Sequence, residues 1–152
     1  MGKAMFYHLT RRPMEVTLTM LLGKARQAGW RVLVRGRAAD RMVWLDEQLW
    51  QGPEDGFLPH GLAGGPYDAL QPVLLGVEGA GGNQPHCVMS IDGAAVTAQE
   101  VAELDRVCVL FDGNAPDAVE TARSQWRVLK EAGAAAEYWS EESGSWEKKA
   151  QT

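Results

Sequence analysis

The apolar run that follows Arg106 constrains the fold of this chain more than any other feature. Residues 106–111 read RVCVLF, with five consecutive apolar side chains. Such a run is typical of a strand buried on both faces, as in a parallel sheet. Residues 114–133 then show the clearest helix pattern, with acidic residues in the first turns, basic residues near the end and a stop at Gly133. A buried strand followed directly by a helix predicts a parallel βαβ arrangement.

The same alternation of strand and helix runs along the rest of the chain. Further strand patterns lie at residues 4–9, 31–34, 72–76, 86–91 and 136–140. Further helix patterns lie at residues 13–29, 38–50 and 97–104. Thr97 and Glu100 have the spacing of a capping box at the start of the helix pattern at 97–104. The pattern predicts a three-layer α/β/α fold around a mostly parallel, Rossmann-like sheet.

The length of the chain and the composition of its last residues predict one domain. A chain of 152 residues suits a single domain with a proper core. We expect this domain to span residues 1–140. Residues 141–152 read EESGSWEKKAQT and are expected to form a frayed polar tail, which leaves residues 136–140 as an edge strand.

Composition and charge favour a cytoplasmic protein that binds neither membranes nor nucleic acid strongly. No apolar run reaches the length of about 18 residues that a membrane span needs. The net charge of −5 argues against a wide surface that grips a nucleic-acid backbone. Cys87 and Cys108 lie inside predicted buried strands, so we expect both to be reduced core residues.

Motifs for phosphate or metal binding are missing from the sequence. The chain has no G-x-x-x-x-G-K-[ST] motif, and the first strand–helix junction, HLTRRPM, contains no glycine. His8, His60 and His86 are far apart, and Cys-x-x-Cys does not occur. We therefore expect no cofactor and no metal site.

Asp112 is the main candidate for catalysis, because Cys87 and Cys108, the only possible thiol nucleophiles, lie in apolar runs that disfavour a thiolate. Asp112 follows the strand at 106–111, where α/β enzymes place catalytic carboxylates. The simpler interpretation is turn and cap chemistry in the Asp112-Gly113-Asn114 segment, because the sequence shows no partner for this carboxylate. We therefore expect no catalytic residues. A small α/β enzyme or nucleotide-binding protein with a site near Asp112 stays open as the alternative.

The late helix carries two distinct faces. The apolar face, expected to pack on the sheet, comprises Val119, Ala122, Trp126 and Leu129. The basic face comprises Arg123, Arg127 and Lys130. The simpler interpretation of the basic face is a solvated charged surface. The functional interpretation is a basic stripe beside Trp126 that binds a short acidic peptide with an apolar end.

An early loop carries apolar side chains that a solvated connection does not need. Trp50, Phe57, Leu58 and Pro59 lie close together in a segment rich in glycine and proline. They either cover the core beneath their own loop or form an interface, because aromatic side chains are typical of interface hot spots.

In three stretches the sequence resembles the chi subunit of bacterial DNA polymerase III holoenzyme. They are FYHL with GWRVLV at 29–34, AADRMVWLDEQLW at 38–50 with FLPHGLAGG at 57–65, and FDGN with ARSQWRVLKEAG at 122–133. LDEQLW followed shortly by FLPHGLAG is the most specific part. The resemblance implies a non-catalytic accessory subunit of the replicase, with one α/β domain and no nucleotide site.

The resemblance also implies two binding surfaces. On the late helix, Arg123 and Trp126 fall on the positions that dock the acidic, Phe-ended C-terminal tail of single-stranded DNA-binding protein. Trp126 stands where the family motif has tyrosine, and Val119 stands at a lysine position. Arg127 and Lys130 are the candidates to compensate for that lysine.

The second implied surface binds the psi subunit and so links the tail to the clamp-loader assembly. Its residues would be Trp50, Phe57, Leu58, Pro59 and His60. A substitute partner is the alternative occupant of this surface.

Overall fold

The computed structural model describes residues 2–51, 59–77 and 82–152. The helices are α1 (Met14–Gln27), α2 (Ala39–Trp50), α3 (Ala98–Glu103) and α4 (Pro116–Glu131), with a 3-10 turn at Asp68–Leu70. The strands are β1 (Lys3–Leu9), β2 (Val32–Gly36), β3 (Gly61–Leu62), β4 (Val73–Val77), β5 (Cys87–Ser90), β6 (Arg106–Asp112), β7 (Ala136–Ser140) and β8 (Glu147–Gln151). Phe57 and Leu58 lie outside the described residues.

The described strands form one sheet in the order β3-β4-β2-β5-β6-β1-β7-β8. Neighbouring strands run parallel except β7 and β8, which run antiparallel. The predicted α/β fold with a mostly parallel sheet is therefore confirmed. The apolar run at 106–111 lies in β6, near the centre of the sheet, where residues Val107–Leu110 are at most 2% exposed.

Helices cover both faces of the sheet, as a Rossmann-like arrangement requires. Side chains alternate along β1, so Met5 and Tyr7 point to one face while Ala4 and Phe6 point to the other. The first face packs against apolar residues of α1 and α2, and the second against α3 and α4. The two cysteines are free and buried in this core, as predicted.

The end of the chain corrects one prediction. Residues 147–151 pair with β7, so the expectation of a frayed tail is wrong, and β7 is not an edge strand. All five residues of β8 are exposed, and its charged side chains are typical of a protected sheet edge. The strand is held by backbone hydrogen bonds rather than by an apolar face. The division into a domain of residues 1–140 and a tail stays a prediction.

The strand order creates a switch point between β1 and β6. These strands are neighbours, but α1 follows β1 onto one face whereas α4 follows β6 onto the other. In open α/β sheets, the carboxyl ends of two such strands flank the crevice where ligands bind. This topology places Asp112 beside the crevice and puts α4 on the second face of the sheet. These are the two regions where the sequence predicts a functional site.

Candidate functional site

The basic face of α4 is exposed while its apolar face packs on the sheet. Ala122 and Leu129 are buried, and Trp126 is partly buried. The cations Arg123, Arg127 and Lys130 are all exposed. Pro116 occupies the first turn of α4, where its missing N–H costs no helical hydrogen bond. The two-faced pattern predicted for this helix is confirmed.

Trp126 packs against aromatic side chains of β1 and β7. Its ring meets the Phe6 ring edge-on, with centroids 5.4 Å apart, and the Tyr138 ring edge-on at 6.0 Å. The Tyr138 hydroxyl lies 3.1 Å from His8 Nδ1. Edge-to-face contacts of this kind fix ring orientation, so Trp126 presents a defined apolar wall at the surface.

The flank of α4 that carries Trp126 faces β7. Burial raises the pKa of Tyr138, and the positive charge of nearby Arg123 opposes that shift. On the opposite flank, Gln125 Nε2 donates to the carbonyl of Ala94 at 3.0 Å. Lys130 follows Arg123 by two helical turns, so both cations lie on the β7 side.

The cations of this flank are not engaged by acidic side chains. Within the described parts of the chain, Arg123 and Lys130 form no hydrogen bond or ion pair, and Arg127 contacts only Ser124 Oγ at 3.3 Å. By contrast, Arg35 donates to both carboxylate oxygens of Glu100, at 3.0 and 2.6 Å. Uncommitted guanidinium and ammonium groups beside an apolar ring can bind an anion without first breaking an internal ion pair.

Val119 does not contribute to this charged flank. Its side chain is partly buried and packs against the apolar cluster beneath α4. Compared with the lysine that the family motif has at this position, valine removes one positive charge and adds apolar packing beneath α4. The positive charge of the flank comes from Arg123, Arg127 and Lys130.

A cavity of about 770 Å³ lies at the switch point, and Asp112 contributes to its wall. Asp112 Oδ1 accepts the backbone N–H of Asn114 at 2.9 Å, while Asn114 Nδ2 donates to the Thr10 carbonyl at 3.1 Å. The turn interpretation of this segment is confirmed. The cap interpretation is wrong, because α4 begins after Ala115 without a side-chain cap.

Glu141 blocks the position where nucleotide-binding folds hold a phosphate. Its Oε1 accepts the backbone N–H groups of Thr10, Arg11 and Arg12, at 3.1, 2.9 and 3.0 Å, in the loop between β1 and α1. Burial by itself raises the pKa of Glu141, but these N–H donors and the Arg12 charge lower it below the usual value. The chain thus fills its own backbone anion site with a carboxylate.

Metal ligands do not converge in the described ranges. No group of three His, Cys, Asp or Glu side chains there could hold an ion. His86 Nδ1 accepts the N–H of Arg31 at 2.9 Å, and His60 Nε2 lies 3.2 Å from Asp46 Oδ1. Each of these histidines has a structural partner. The same ranges contain no helix that could span a lipid bilayer.

The predicted partner surface is only partly within the described residues. Trp50 ends α2 and is 54% exposed, and its ring lies tilted by 39° against the buried ring of His60, with centroids 4.3 Å apart. More than half of the Trp50 side chain is thus open to solvent, whereas His60 beside it is buried. Pro59 is partly buried. The contributions of Phe57 and Leu58 stay predictions.

Three exposed apolar residues at the same edge of the sheet were missed by the sequence reasoning. Leu62 is 38% exposed, Tyr67 65% and Leu70 76%. They follow His60 in a segment that includes β3, the outermost strand. The signal that could have found them is the one used for Trp50, namely large apolar residues in a segment rich in glycine and proline.

Taken together, the fold and the site define an α/β protein whose switch-point crevice offers no free backbone anion site among the described residues. Its switch-point anion site is filled by Glu141, and its uncommitted cations lie on an open flank. The family model for the DNA polymerase III chi subunit, HolC, matches residues 1–137, and the chain belongs to this family. Comparison with curated proteins gives no match.

Members of this family are non-catalytic accessory subunits of DNA polymerase III, so Asp112 is not assigned a catalytic role. The alternative of an enzyme with a site near that residue is set aside. The chain is an accessory replication protein that acts within the polymerase III complex.

Proposed function

We propose that this protein docks the acidic, Phe-ended C-terminal tail of single-stranded DNA-binding protein against α4. The observation that carries the proposal is the pairing of uncommitted cations with the partly buried ring of Trp126 on one flank. A peptide with a terminal carboxylate, an aromatic end and acidic side chains matches this combination of charge and apolar surface.

Arg123 is the residue expected to hold the terminal carboxylate. It lies beside Tyr138 and Trp126, so the aromatic end of the peptide can pack on the Trp126 ring while the carboxylate meets the guanidinium. A hydrogen bond to a charged group contributes about 1.5–3 kcal/mol, whereas an exposed ion pair contributes about 0–1 kcal/mol. Arg127 and Lys130 would bind acidic side chains of the tail at the lower value.

The second surface links the docked tail to the clamp-loader assembly through the psi subunit or a substitute partner. Trp50 is its best-defined anchor, because the ring is exposed and supported by a tilted contact with the His60 ring. Leu62, Tyr67 and Leu70 extend the apolar area along the edge of the sheet. Exposed aromatic and aliphatic residues around one anchor are typical of a partner interface.

Titration with a tail peptide tests the first surface. The peptide carries the C-terminal sequence of the single-stranded DNA-binding protein from the same organism, and a second peptide lacks the terminal Phe. We expect saturable binding of the first peptide, followed by tryptophan fluorescence, and strong weakening with the second peptide or with Arg123→Ala. Lys24→Ala is the matched control, since Lys24 is an exposed cation on α1, across the sheet from α4. Equal weakening in both variants, or no binding at low salt, would refute the proposal.

Trp50→Ser tests whether the two surfaces are independent. We expect the substitution to abolish retention of the psi subunit or its substitute in a pull-down. The affinity for the tail peptide should stay unchanged. Loss of tail binding in Trp50→Ser, with native thermal stability, would contradict the assignment of separate surfaces.

A further inference from the structure

Beyond α4, the sheet face that carries Phe6 and Tyr138 continues onto the hairpin of β7 and β8. Helices α3 and α4 pack over the central strands of this face. The residues of β8 are all exposed, and β8 is the outermost strand of the described sheet on this side. The flank of α4 and the hairpin therefore meet in an open corner, with Trp126 and Tyr138 where they join.

Strand register decides which β8 side chains line this corner. Ala150 is the partner of Tyr138, and Glu147 is the partner of Ser140, so both share the face of Tyr138. Lys149 occupies the irregularity opposite Tyr138 and Trp139, and its Nζ bonds Glu147 Oε2 at 3.0 Å. Lys149 thus lies on the same face.

The neighbouring residues of β8 point to the opposite face. Lys148 is the partner of Trp139, and Gln151 is the partner of Glu137. Lys148 Nζ donates to Gln151 Oε1 at 2.8 Å, and its charge helps to lower the pKa of Glu137. Strand β8 therefore offers two lysines at adjacent positions that differ in the face they occupy.

We propose that β8 forms the second wall of the tail-binding groove, so that the acidic peptide runs between α4 and the hairpin. This inference rests on the proposed docking of the tail. Ala150 adds only a methyl group beside Tyr138, and Lys149 lies on the face of the sheet against which α4 packs. Because the family model ends at residue 137, this wall lies outside the part of the chain that the model matches.

The contribution of Lys149 is moderated by its own ion pair. Glu147 already shares the ammonium charge, and both side chains are 47% exposed. A single exposed charge contact changes affinity only modestly, so reversing the charge at Lys149 should weaken binding about three- to tenfold. A carboxylate at position 150 should weaken binding to a similar extent, because it adds both bulk and negative charge beside Tyr138.

Two matched pairs of variants test the inference by anisotropy of a labelled tail peptide. Lys149→Glu is compared with Lys148→Glu, and Ala150→Glu with Gln151→Glu, so each pair makes a closely similar charge change on opposite faces of one strand. We expect the first member of each pair to weaken binding about three- to tenfold and the second to stay within about twofold.

The possible outcomes separate the two proposals. If the unmodified protein binds the peptide and Arg123→Ala weakens it, but the members of each pair behave alike, the second wall is refuted and tail docking stands. If the unmodified protein does not bind the peptide, both proposals fail. A larger effect from Lys149→Glu and Ala150→Glu than from their controls supports the second wall.

Discussion

Replacing Glu141 with alanine removes the carboxylate that ties the β7–β8 turn to the loop between β1 and α1. Its Oε1 accepts three backbone N–H groups at 2.9 to 3.1 Å. A hydrogen bond to a charged group contributes about 1.5–3 kcal/mol. The three bonds share one oxygen, and the freed N–H groups can regain water. We therefore expect Glu141→Ala to lower the free energy of unfolding by about 3 kcal/mol.

Glu141→Gln distinguishes the contribution of the negative charge from that of the hydrogen-bond acceptor. The amide oxygen can still accept hydrogen bonds, so only the charge-assisted part is lost, and the expected cost is about 1 kcal/mol. The matched control is Glu142→Gln, because the Glu142 side chain is 62% exposed. That substitution should change the free energy of unfolding by less than about 0.5 kcal/mol.

The pH dependence of this effect has a definite sign. Burial raises the pKa of Glu141, but the N–H donors outweigh it and lower the folded-state pKa below the ordinary value of 4.5. A group whose pKa is lowered by folding stabilises the protein above its unfolded pKa, and this stability is lost as the pH falls through the folded pKa. The difference between the unmodified protein and Glu141→Gln should be constant near neutral pH and should shrink below pH of about 4.

Urea unfolding followed by far-UV circular dichroism measures these differences, with the midpoint and slope fitted for each variant. For a chain of this length, a loss of about 3 kcal/mol corresponds to a melting temperature about 6–12 °C lower. The reasoning is refuted if Glu141→Ala unfolds within about 0.5 kcal/mol of the unmodified protein. It is also refuted if the effect of Glu141→Gln does not vary with pH.

Three further predictions concern the core and its margins. Thr97→Ala removes the capping-box acceptor of α3 and should cost about 1 kcal/mol in urea unfolding, with Thr97→Ser close to the unmodified protein. Gly113→Ala places a Cβ on the His8 imidazole and should cost about 3 kcal/mol; a neutral effect would mean that this ring moves freely. The hydrogen bond of the Cys87 thiol with Cys108, followed by burial, raises the pKa of Cys87 far above its usual value. Both cysteines are buried, so a thiol reagent should label neither until the protein is unfolded.

The central strands and the late helix were predictable because local patterns specify them. The run at 106–111 became β6 at the centre of the sheet, and the spacing of Ala122, Trp126 and Leu129 set the buried face of α4. The shared flank of Arg123 and Lys130 follows from the same helical period. That this flank faces β7 depends on strand order, which no local pattern specifies.

The features that could not be predicted depend on partners that are distant in sequence. Glu141 lies in a polar run, and its N–H donors are 129 to 131 residues away along the chain. Strand β8 has no apolar alternation, because it is held through the backbone of β7. His60 is expected beside the apolar anchors of the partner surface, but the sequence does not show that its ring is buried and lies 3.2 Å from Asp46 Oδ1, on α2.

The position of β1 has a consequence for how the protein reaches its fold during synthesis. Both neighbours of β1 are made late, since Lys3 is the register partner of Arg106 and Ala4 is the register partner of Ala136. The emerging polypeptide therefore carries an unpaired apolar strand, with Met5, Phe6 and Tyr7, until residues 106–112 have been made. Loop closure over such distances is slow, and an exposed strand edge favours aggregation. Chaperone-dependent yield should accordingly depend on how fast the ribosome completes the second half of the chain.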